Sequence, residues 1–359
     1  MISLFKVKMS DDVMDRIAPT INSGFITQGP RVEEFEDRLQ AELGSKCRPI
    51  TVNSATSALS LAMDLCDIQP GDEVISTPQT CFATQVGLLH KKAIIRWADI
   101  DPKSGLIDPA SVRDLITDKT KAIVAVNWAG KIADYAVLKS FGVPVIEDAA
   151  HCWDTFFADK VERGDYTIYS FQAIKFLTTG DGGILLCPEE KQHEARLKRW
   201  FGLDRTKNES FRINQNIQYA GYKYHMNDIA AAIGLANLDS AKASVVAHRK
   251  NAKKYCDAFK DLSFASVLPF DDNCSYWIFS MIMNEDRDKE EFARYLKSNG
   301  IESSDVHFRN DQFDITKQFY EKELPGLDSF SKNQINIPVG WWLSESEVEY
   351  IIEKVTEYK

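Results

Sequence analysis

The sequence lacks most of the features that mark common functional classes. Its seven cysteines (Cys47, Cys66, Cys81, Cys152, Cys187, Cys256 and Cys274) are scattered singly, with no C-x-x-C pair. That argues against a disulfide framework and against a zinc site, so no metal is expected, and it suits a reducing, cytoplasmic compartment. No apolar run approaches the roughly 18–20 residues that span a bilayer. The short stretch Met1–Lys8, with Asp11 and Asp12 close behind, does not read as a secretory signal. Basic residues are outnumbered, 43 Lys+Arg against 53 Asp+Glu, for a net charge of −10. Without a Lys/Arg block, general nucleic-acid binding is not expected, because phosphate neutralisation needs concentrated positive charge. No G-x-G-x-x-G joins a strand to a helix, which disfavours a nicotinamide enzyme. Internal repeats and low-complexity linkers are lacking too.

What is present is the composition of an ordinary globular protein, 44% hydrophobic and 27% charged over 359 residues, a length that suggests two domains. Between about residues 49 and 190, short β-branched runs alternate with helical patterns. Strands are expected at Pro49–Val52, Glu73–Ser76, Ala93–Trp97, Ala122–Val126, Val143–Ile146, Thr167–Phe171 and Ile184–Cys187. Helical patterns at Ser57–Cys66, Thr84–His90, Pro109–Ile116 and Tyr135–Ser140 separate the first five. Nearly continuous apolar strands with helices between them predict an α/β fold whose sheet is buried on both faces. The last two strands are joined by Gly180-Asp181-Gly182-Gly183 with no helix between, so one antiparallel pair is expected and the sheet should be mixed, mostly parallel. After about residue 226 the pattern predicts helices at Met226–Leu238 and Ala241–Phe259, a strand at Tyr276–Met283, and helices at Asp288–Asn299 and Glu345–Glu357. This reads as a large domain, residues 1–240, followed by a smaller α+β domain, residues 241–359.

Three segments carry chemistry. The run Pro144-Val145-Ile146-Glu147-Asp148-Ala149-Ala150-His151 ends a strand in two acids, at the edge where doubly wound sheets bind ligands; the alternative is that the acids cap a following helix. In Tyr169–Gly183 a single lysine, Lys175, sits among apolar and small residues before a glycine-rich turn. Withdrawn from water, such an amine is less basic and can form a Schiff base with a carbonyl; the alternative is a lysine that snorkels to the surface. In Thr51–Ser60 a strand gives way to small hydroxyl residues and a helix start, which suits a phosphate or serves as a plain N-cap. Together, a phosphate cup, an acid at a strand end and a later lysine are the protein-side parts of a pyridoxal-phosphate site.

The chain resembles the DegT/DnrJ/EryC1/StrS family of sugar aminotransferases, which have the aspartate-aminotransferase fold. The likeness runs through Ser23–Glu36, Pro70–Ile75, Asp99–Pro102, Glu147–His151, Ser170–Gly183, Gly221–Asp228 and Ile337–Gly340. The resemblance implies pyridoxal 5'-phosphate as cofactor, with Lys175 as the lysine that carries it and moves the proton. Asp148 would pair with the pyridinium nitrogen, His151 would lie near the ring hydroxyl, and Thr56, Ser57 and Ser170 would bind the phosphate. Relatives with histidine in place of Lys175 are sugar dehydratases, so the lysine favours transamination over that alternative. A non-catalytic pyridoxal-phosphate regulator is a further alternative, disfavoured because the reactive residues are present.

Two positions depart from the family pattern. Cys81 stands where an aromatic residue stacks on the cofactor ring, leaving Phe82 and Trp128 as candidates to cover it and Cys81 itself as a cofactor neighbour. His225 stands where relatives place Asn or Arg, reaching from a neighbouring subunit to the phosphate, which implies a homodimer with composite active sites. In the small domain, His307 and Arg309 are expected to contact substrate or to form a hydrated loop. Trp341, with Trp342, is expected to shape a sugar pocket or to pack between domains. The loop holding Arg205, Lys207 and Arg212 suits a diphosphate or is plain surface. The activity implied is transfer of an amino group from L-glutamate to a nucleotide-linked keto-sugar, a 4-keto-6-deoxyhexose or 3-keto sugar. Its product would be an amino sugar for O-antigen or a similar glycan.

Overall fold

The computed structural model describes residues 1–153, 162–206 and 214–358; Lys207 and Arg212 lie outside the described residues. Two N-terminal helices, α1 (Val13–Asn22) and α2 (Pro30–Leu43), lead into strand β1 (Ile50–Val52) and helix α3 (Ala55–Leu65). Then β2 (Glu73–Ser76), α4 (Ala83–His90), β3 (Ile94–Trp97), α5 (Pro109–Leu115), β4 (Thr120–Val126), α6 (Tyr135–Lys139) and β5 (Val145–Asp148) alternate as strand and helix. Strands β6 (Tyr166–Ser170) and β7 (Gly183–Leu186) follow, with α7 (Gln192–Arg199) after them. All seven expected strands are present, within two residues at each end. They form one sheet in the order β1-β7-β6-β5-β4-β2-β3. Four neighbouring pairs are parallel, while β7 runs antiparallel to both β1 and β6, the mixed sheet that the Gly180–Gly183 turn predicts.

Because β7 alone is reversed, β1, β2, β4, β5 and β6 all end at one edge of the sheet. Residues Ser54, Thr80, Asn127, Asp148 and Ser170 are carried there together, the edge at which open α/β sheets bind ligands. The β5 acids do not cap a helix. They close the strand itself, and as successive strand residues they point to opposite faces.

The C-terminal part differs from expectation near residue 240. Two helices were expected either side of residue 240, but a single 32-residue helix, α8 (Asp228–Phe259), runs through. Asp239 and Ser240 interrupt the apolar pattern, yet neither breaks a helix as Gly or Pro would, and the Ser240 hydroxyl donates back to the Asn237 carbonyl at 2.8 Å. Leu235, Leu238, Ala241 and Val245 of α8 sit in the core beside the large sheet, while Ala252, Tyr255, Cys256 and Phe259 belong to a second core. That second core underlies a three-stranded sheet of β8 (Ala265–Ser266), β9 (Phe279–Met283) and β10 (Gln334–Ile337), ordered β10-β9-β8. Helices α9 (Lys289–Ser298) and α11 (Glu345–Glu357) complete it, while α10 (Pro325–Asn333) sends Leu327 and Phe330 into the first core. Helix α8 is long and apolar enough on composition to cross a bilayer, but more than half of its most apolar stretch is buried inside the fold, as in a core helix.

Candidate active site

The lysine of the glycine-rich segment stands at the centre of the sheet edge. Lys175 follows β6 in a turn whose backbone closes through the Lys175 amide and the Gln172 carbonyl, at 2.9 Å. Among the described residues its ammonium makes no ion pair within 4 Å; instead Nζ lies 3.5 Å from the centre of the Trp277 ring. Burial depresses the amine from 10.5 to about 7, with Asp148 and Cys81 pulling it back up in part. An amine balanced near neutrality is available both as nucleophile and as proton carrier.

Asp148 is buried at the end of β5. The Thr84 hydroxyl donates to its Oδ2 at 2.8 Å and the Ala150 amide to its Oδ1 at 3.1 Å. Burial raises its pKa, opposed by the Thr84 hydrogen bond. Its neighbour Glu147 faces away from the site. That carboxylate is fully buried in a separate network, accepting from Asn127 Nδ2 (2.7 Å), Arg163 Nε (3.0 Å), the Gly164 amide (3.0 Å) and Thr167 Oγ1 (3.0 Å). Two adjacent acids thus have different tasks: Glu147 ties β5 to its surroundings, and Asp148 is left with one oxygen held by a hydroxyl and aimed at the site edge.

The hydroxyl segment forms the N-terminus of α3. Ser54 caps it, accepting from the Ser57 amide at 3.1 Å, and the Ser57 hydroxyl donates to Asn53 Oδ1 at 2.7 Å. Sheet register places Val52 and Ser170 on either side of Gly183. A Cβ at Gly183 would stand 2.8 Å from the Ala55 nitrogen, so only glycine lets β7 approach the helix start so closely. The result gathers Thr56, Ser57 and Ser170 about the positive end of a helix, a setting for an anionic group. His225 is behind this cup. It pairs across from Val52, tilts against Trp200 at 5.2 Å, and its Nδ1 has no partner among the described residues. Burial, with Arg199 and Arg205 nearby, pushes it down to about 4.

His151 is stacked on Trp277 at 4.0 Å between ring centres and parallel to His307 at 5.6 Å, with Trp128 edge-on to both histidines. Its Nδ1 is buried without a partner among the described residues, and burial lowers its pKa well below the ordinary value. His307 Nε2 is likewise buried and unpartnered, and burial takes His307 to about 4. Both imidazoles are therefore neutral hydrogen-bonding groups. Cys81 is exposed at the site edge; Phe82 packs edge-on to Phe313, and Trp128 is fully buried. Arg309 is engaged elsewhere: Nε and Nη2 grip Asp311 at 2.8 and 2.7 Å and Nη1 pairs with Asp328. Trp341 lies under Lys8, 4.3 Å from its ammonium to the ring centre, and shares a small recess with Lys175 and Trp277. Arg205 donates to the Gln28 carbonyl at 2.9 Å and lies over Trp200.

Two site residues had no role assigned from the sequence. Thr84 begins an expected helical pattern, and nothing in that pattern marks its hydroxyl. Trp277 was read as part of a strand, but β9 starts only at Phe279. The preceding Tyr276 adopts a left-handed φ of 52°, which turns the chain so that the Trp277 indole donates to the Ile174 carbonyl at 3.1 Å. A residue of the C-terminal part is thereby fixed beneath the amine of Lys175. An aromatic face favours the charged amine by about 0.5–2 kcal/mol, so Trp277→Leu is expected to lower the Lys175 pKa further, by about 0.5–1.5 units. The pH profile of Lys175 acylation in the cofactor-free protein, followed by mass spectrometry, measures this. A profile identical to the wild type would show that the ring contact carries no energy.

Does the site fit pyridoxal phosphate? A buried carboxylate on a strand end, an amine with no ion pair among the described residues, a hydroxyl-lined helix start and two unpartnered imidazole nitrogens supply a hydrogen-bonding or bonding partner for each polar group of that molecule. The fold is that of the pyridoxal-phosphate-dependent transferases, and the protein is a pyridoxal-phosphate-dependent transaminase. The sequence profile of the DegT/DnrJ/EryC1/StrS aminotransferase family matches residues 7–356, and the chain belongs to that family. It is 31% identical over 365 residues to the spore coat polysaccharide biosynthesis protein SpsC of Bacillus subtilis (strain 168), covering 96% of this chain and 93% of SpsC. Among solved structures it is similar to AtS13 from Actinomadura melliaura, 35% identical with a TM-score of 0.92 over 100% of this chain and 99% of that one. It is also similar to the sugar aminotransferase CalS13 from Micromonospora echinospora, 32% identical with a TM-score of 0.91 over the whole of both chains. Within its family the chain is a sugar aminotransferase.

Proposed function

We propose that the protein transfers an amino group from L-glutamate to the ketone of a nucleotide-linked keto-sugar, a 4-keto-6-deoxyhexose, to make an amino sugar for a surface glycan such as O-antigen. The observation that carries this reading is Lys175: an enclosed amine near neutrality, free of any carboxylate bond, beside a buried Asp148. The bound cofactor supplies an electron sink that stabilises negative charge at the substrate carbon. In this reading Asp148 holds the proton on the cofactor's ring nitrogen, and the Thr84 hydroxyl keeps its carboxylate turned that way. Lys175 holds the cofactor, then moves a proton between the reacting carbons. Thr56, Ser57 and Ser170 bind the phosphate, with His225 close behind them. His151 donates or accepts at the ring hydroxyl. Cys81 covers one edge of the ring, His307 and Trp341 border the sugar, and Arg309 braces the wall on which His307 sits.

We further propose a homodimer in the cytoplasm, with the chain divided into units 1–240 and 241–359. Supporting the dimer, Met14, Ile21, Phe25 and Ile26 are each at least half exposed along α1 and the turn after it, an apolar strip of the kind that interfaces cover.

The test is the visible spectrum of the cofactor-loaded protein before and after L-glutamate, with Lys175→Ala alongside. The wild type is expected to show the band of lysine-bound cofactor and to lose it to the amine form with glutamate. A band that no amino donor bleaches would sink the first half of the reaction. Absence of the band from the wild type would sink the assignment of Lys175.

A further inference from the structure

A second lysine is half-buried away from the active site. Lys131 follows the tight turn Trp128–Gly130 and lines a cavity of about 400 Å³ formed on its other sides by the C-terminal part: Leu268 and Pro269 after β8, Tyr276 and Ile278 before β9, and Ile282 within it. Lys103 stands at the same cavity and Asp271 is the acid among its walls. Apart from Lys175, buried cations among the described residues have carboxylate partners: Arg163 with Glu147, Arg196 and Arg199 with Glu36, Arg309 with Asp311 and Asp328. Lys131 makes no ion pair and no side-chain hydrogen bond among the described residues. Burial lowers its pKa, and the neighbouring Cys274 and Asp271 offset this only in part.

A half-buried amine without a carboxylate bond, at a chamber whose walls are more apolar than polar, is a strained arrangement for the protein alone. It becomes favourable when a guest brings a negative charge to it and an apolar body to the walls, the division of labour found in small-molecule sites. We infer that this cavity binds a small organic carboxylate, its carboxylate on Lys131 and its hydrocarbon against Leu268, Pro269, Ile278 and Ile282. A phosphate group suits it less, since a dianion with three acceptor oxygens asks for several donors, and Lys131 with the more exposed Lys103 are the two cations here. The site is separate from the active site yet backs onto it. Gly130 accepts from the Ser275 amide at 2.9 Å and Ala129 from the Trp277 amide at 3.0 Å, so the same turn forms a wall of the cavity and supports the ring beneath Lys175.

The test uses the cofactor-loaded protein and hexanoate, followed by saturation-transfer NMR and calorimetry, with inorganic phosphate as competitor. Hexanoate is expected to bind saturably, and Lys131→Met to weaken it about ten- to a hundred-fold, the loss of one charge-assisted hydrogen bond. Lys131→Arg keeps the charge and is expected to retain binding, and its circular dichroism and that of Lys131→Met check the fold. Lys175→Ala is expected to bind hexanoate as the wild type does. Four results overturn the proposal: no saturable binding to the wild type; equal affinity in Lys131→Met; binding lost in Lys175→Ala but kept in Lys131→Met, which would place hexanoate in the active site; or displacement by phosphate at concentrations below those of hexanoate, which would make this an anion site without use of its apolar walls.

Discussion

Replacing Lys175 by alanine is expected to lower kcat/KM for amine transfer by about four orders of magnitude or more, since one side chain both carries the cofactor and moves the proton. The same residue is expected to weaken the fold that holds it. In the folded protein its amine sits at about 7, against 10.5 ordinarily. Between those values the unfolded chain binds a proton that the folded chain does not, so the stability of the cofactor-free protein rises with pH across that window. Below about pH 7 the enclosed ammonium costs the fold its full penalty. Lys175→Met removes the penalty. Its melting temperature is therefore expected to exceed the wild type by a few degrees at about pH 6 and to match it above about pH 10.5. Thermal unfolding of both proteins across that range, beside an assay of amine transfer from L-glutamate, measures both effects. A variant that is inactive and also less stable at low pH would mean that Lys175 is a structural contact.

The second large effect concerns stability alone. Glu36, on α2, is 2% exposed and is the hub of a network joining α2, β1 and α7. Its Oε1 accepts from Arg199 Nη1 at 2.6 Å and from the Thr51 amide and hydroxyl at 3.1 and 2.8 Å, while Oε2 accepts from Arg196 Nη1 at 2.9 Å. Burial raises its pKa, but Arg199, Arg196 and Thr51 overcome that and hold it at about 2. Glu36→Gln leaves two arginines without their carboxylate and is expected to cost about 3–5 kcal/mol, a large share of a typical total stability of about 5–15 kcal/mol. Because the folded pKa is depressed, the contribution of Glu36 is present in full above about 4.5 and is lost as pH falls toward about 2. Acid denaturation is therefore expected to begin at higher pH when urea is present, and Glu36→Gln to remove the acid-dependent part. Urea midpoints at neutral and acid pH test this; a cost under about 1 kcal/mol would reduce the network to the worth of a surface ion pair.

The extent to which all this was legible in the sequence varies with the range of the interaction. The strands of the large sheet were readable because buried parallel strands are short, β-branched and continuous, and their period needs no partner to be seen. Helices α3 to α6 were readable for the same local reason. The junction at residue 240 was misjudged because two polar residues, Asp239 and Ser240, imitate a break that only backbone geometry can make. Lys175, Asp148 and the Ser54–Ser57 segment drew notice because each is chemically out of place in its neighbourhood: an amine among apolar residues, acids at a strand end, hydroxyls at a helix start.

Glu36 shows the limit of that signal. It lies on the same helical face as Val32, Phe35, Leu39 and Leu43, all buried, so an acid on an apolar stripe was visible, but its partners are 15 and 160 or more residues away. Trp277 gave no local sign at all, since an aromatic residue near a strand reads as core.

The sequence by itself determined the order of elements, the mixed sheet and the reactive groups, because these follow from nearest-neighbour patterning and from the chemistry of individual side chains. Only the tertiary structure decided what those groups can do. The reversed strand β7 brings Ser170 against the start of α3, the pleat of β5 separates the task of Glu147 from that of Asp148, and the left-handed turn at Tyr276 sets Trp277 under Lys175. Each depends on contacts between residues far apart in the chain, and burial and mutual electrostatics, which set the pKa of an amine or an acid, exist only once those contacts are made.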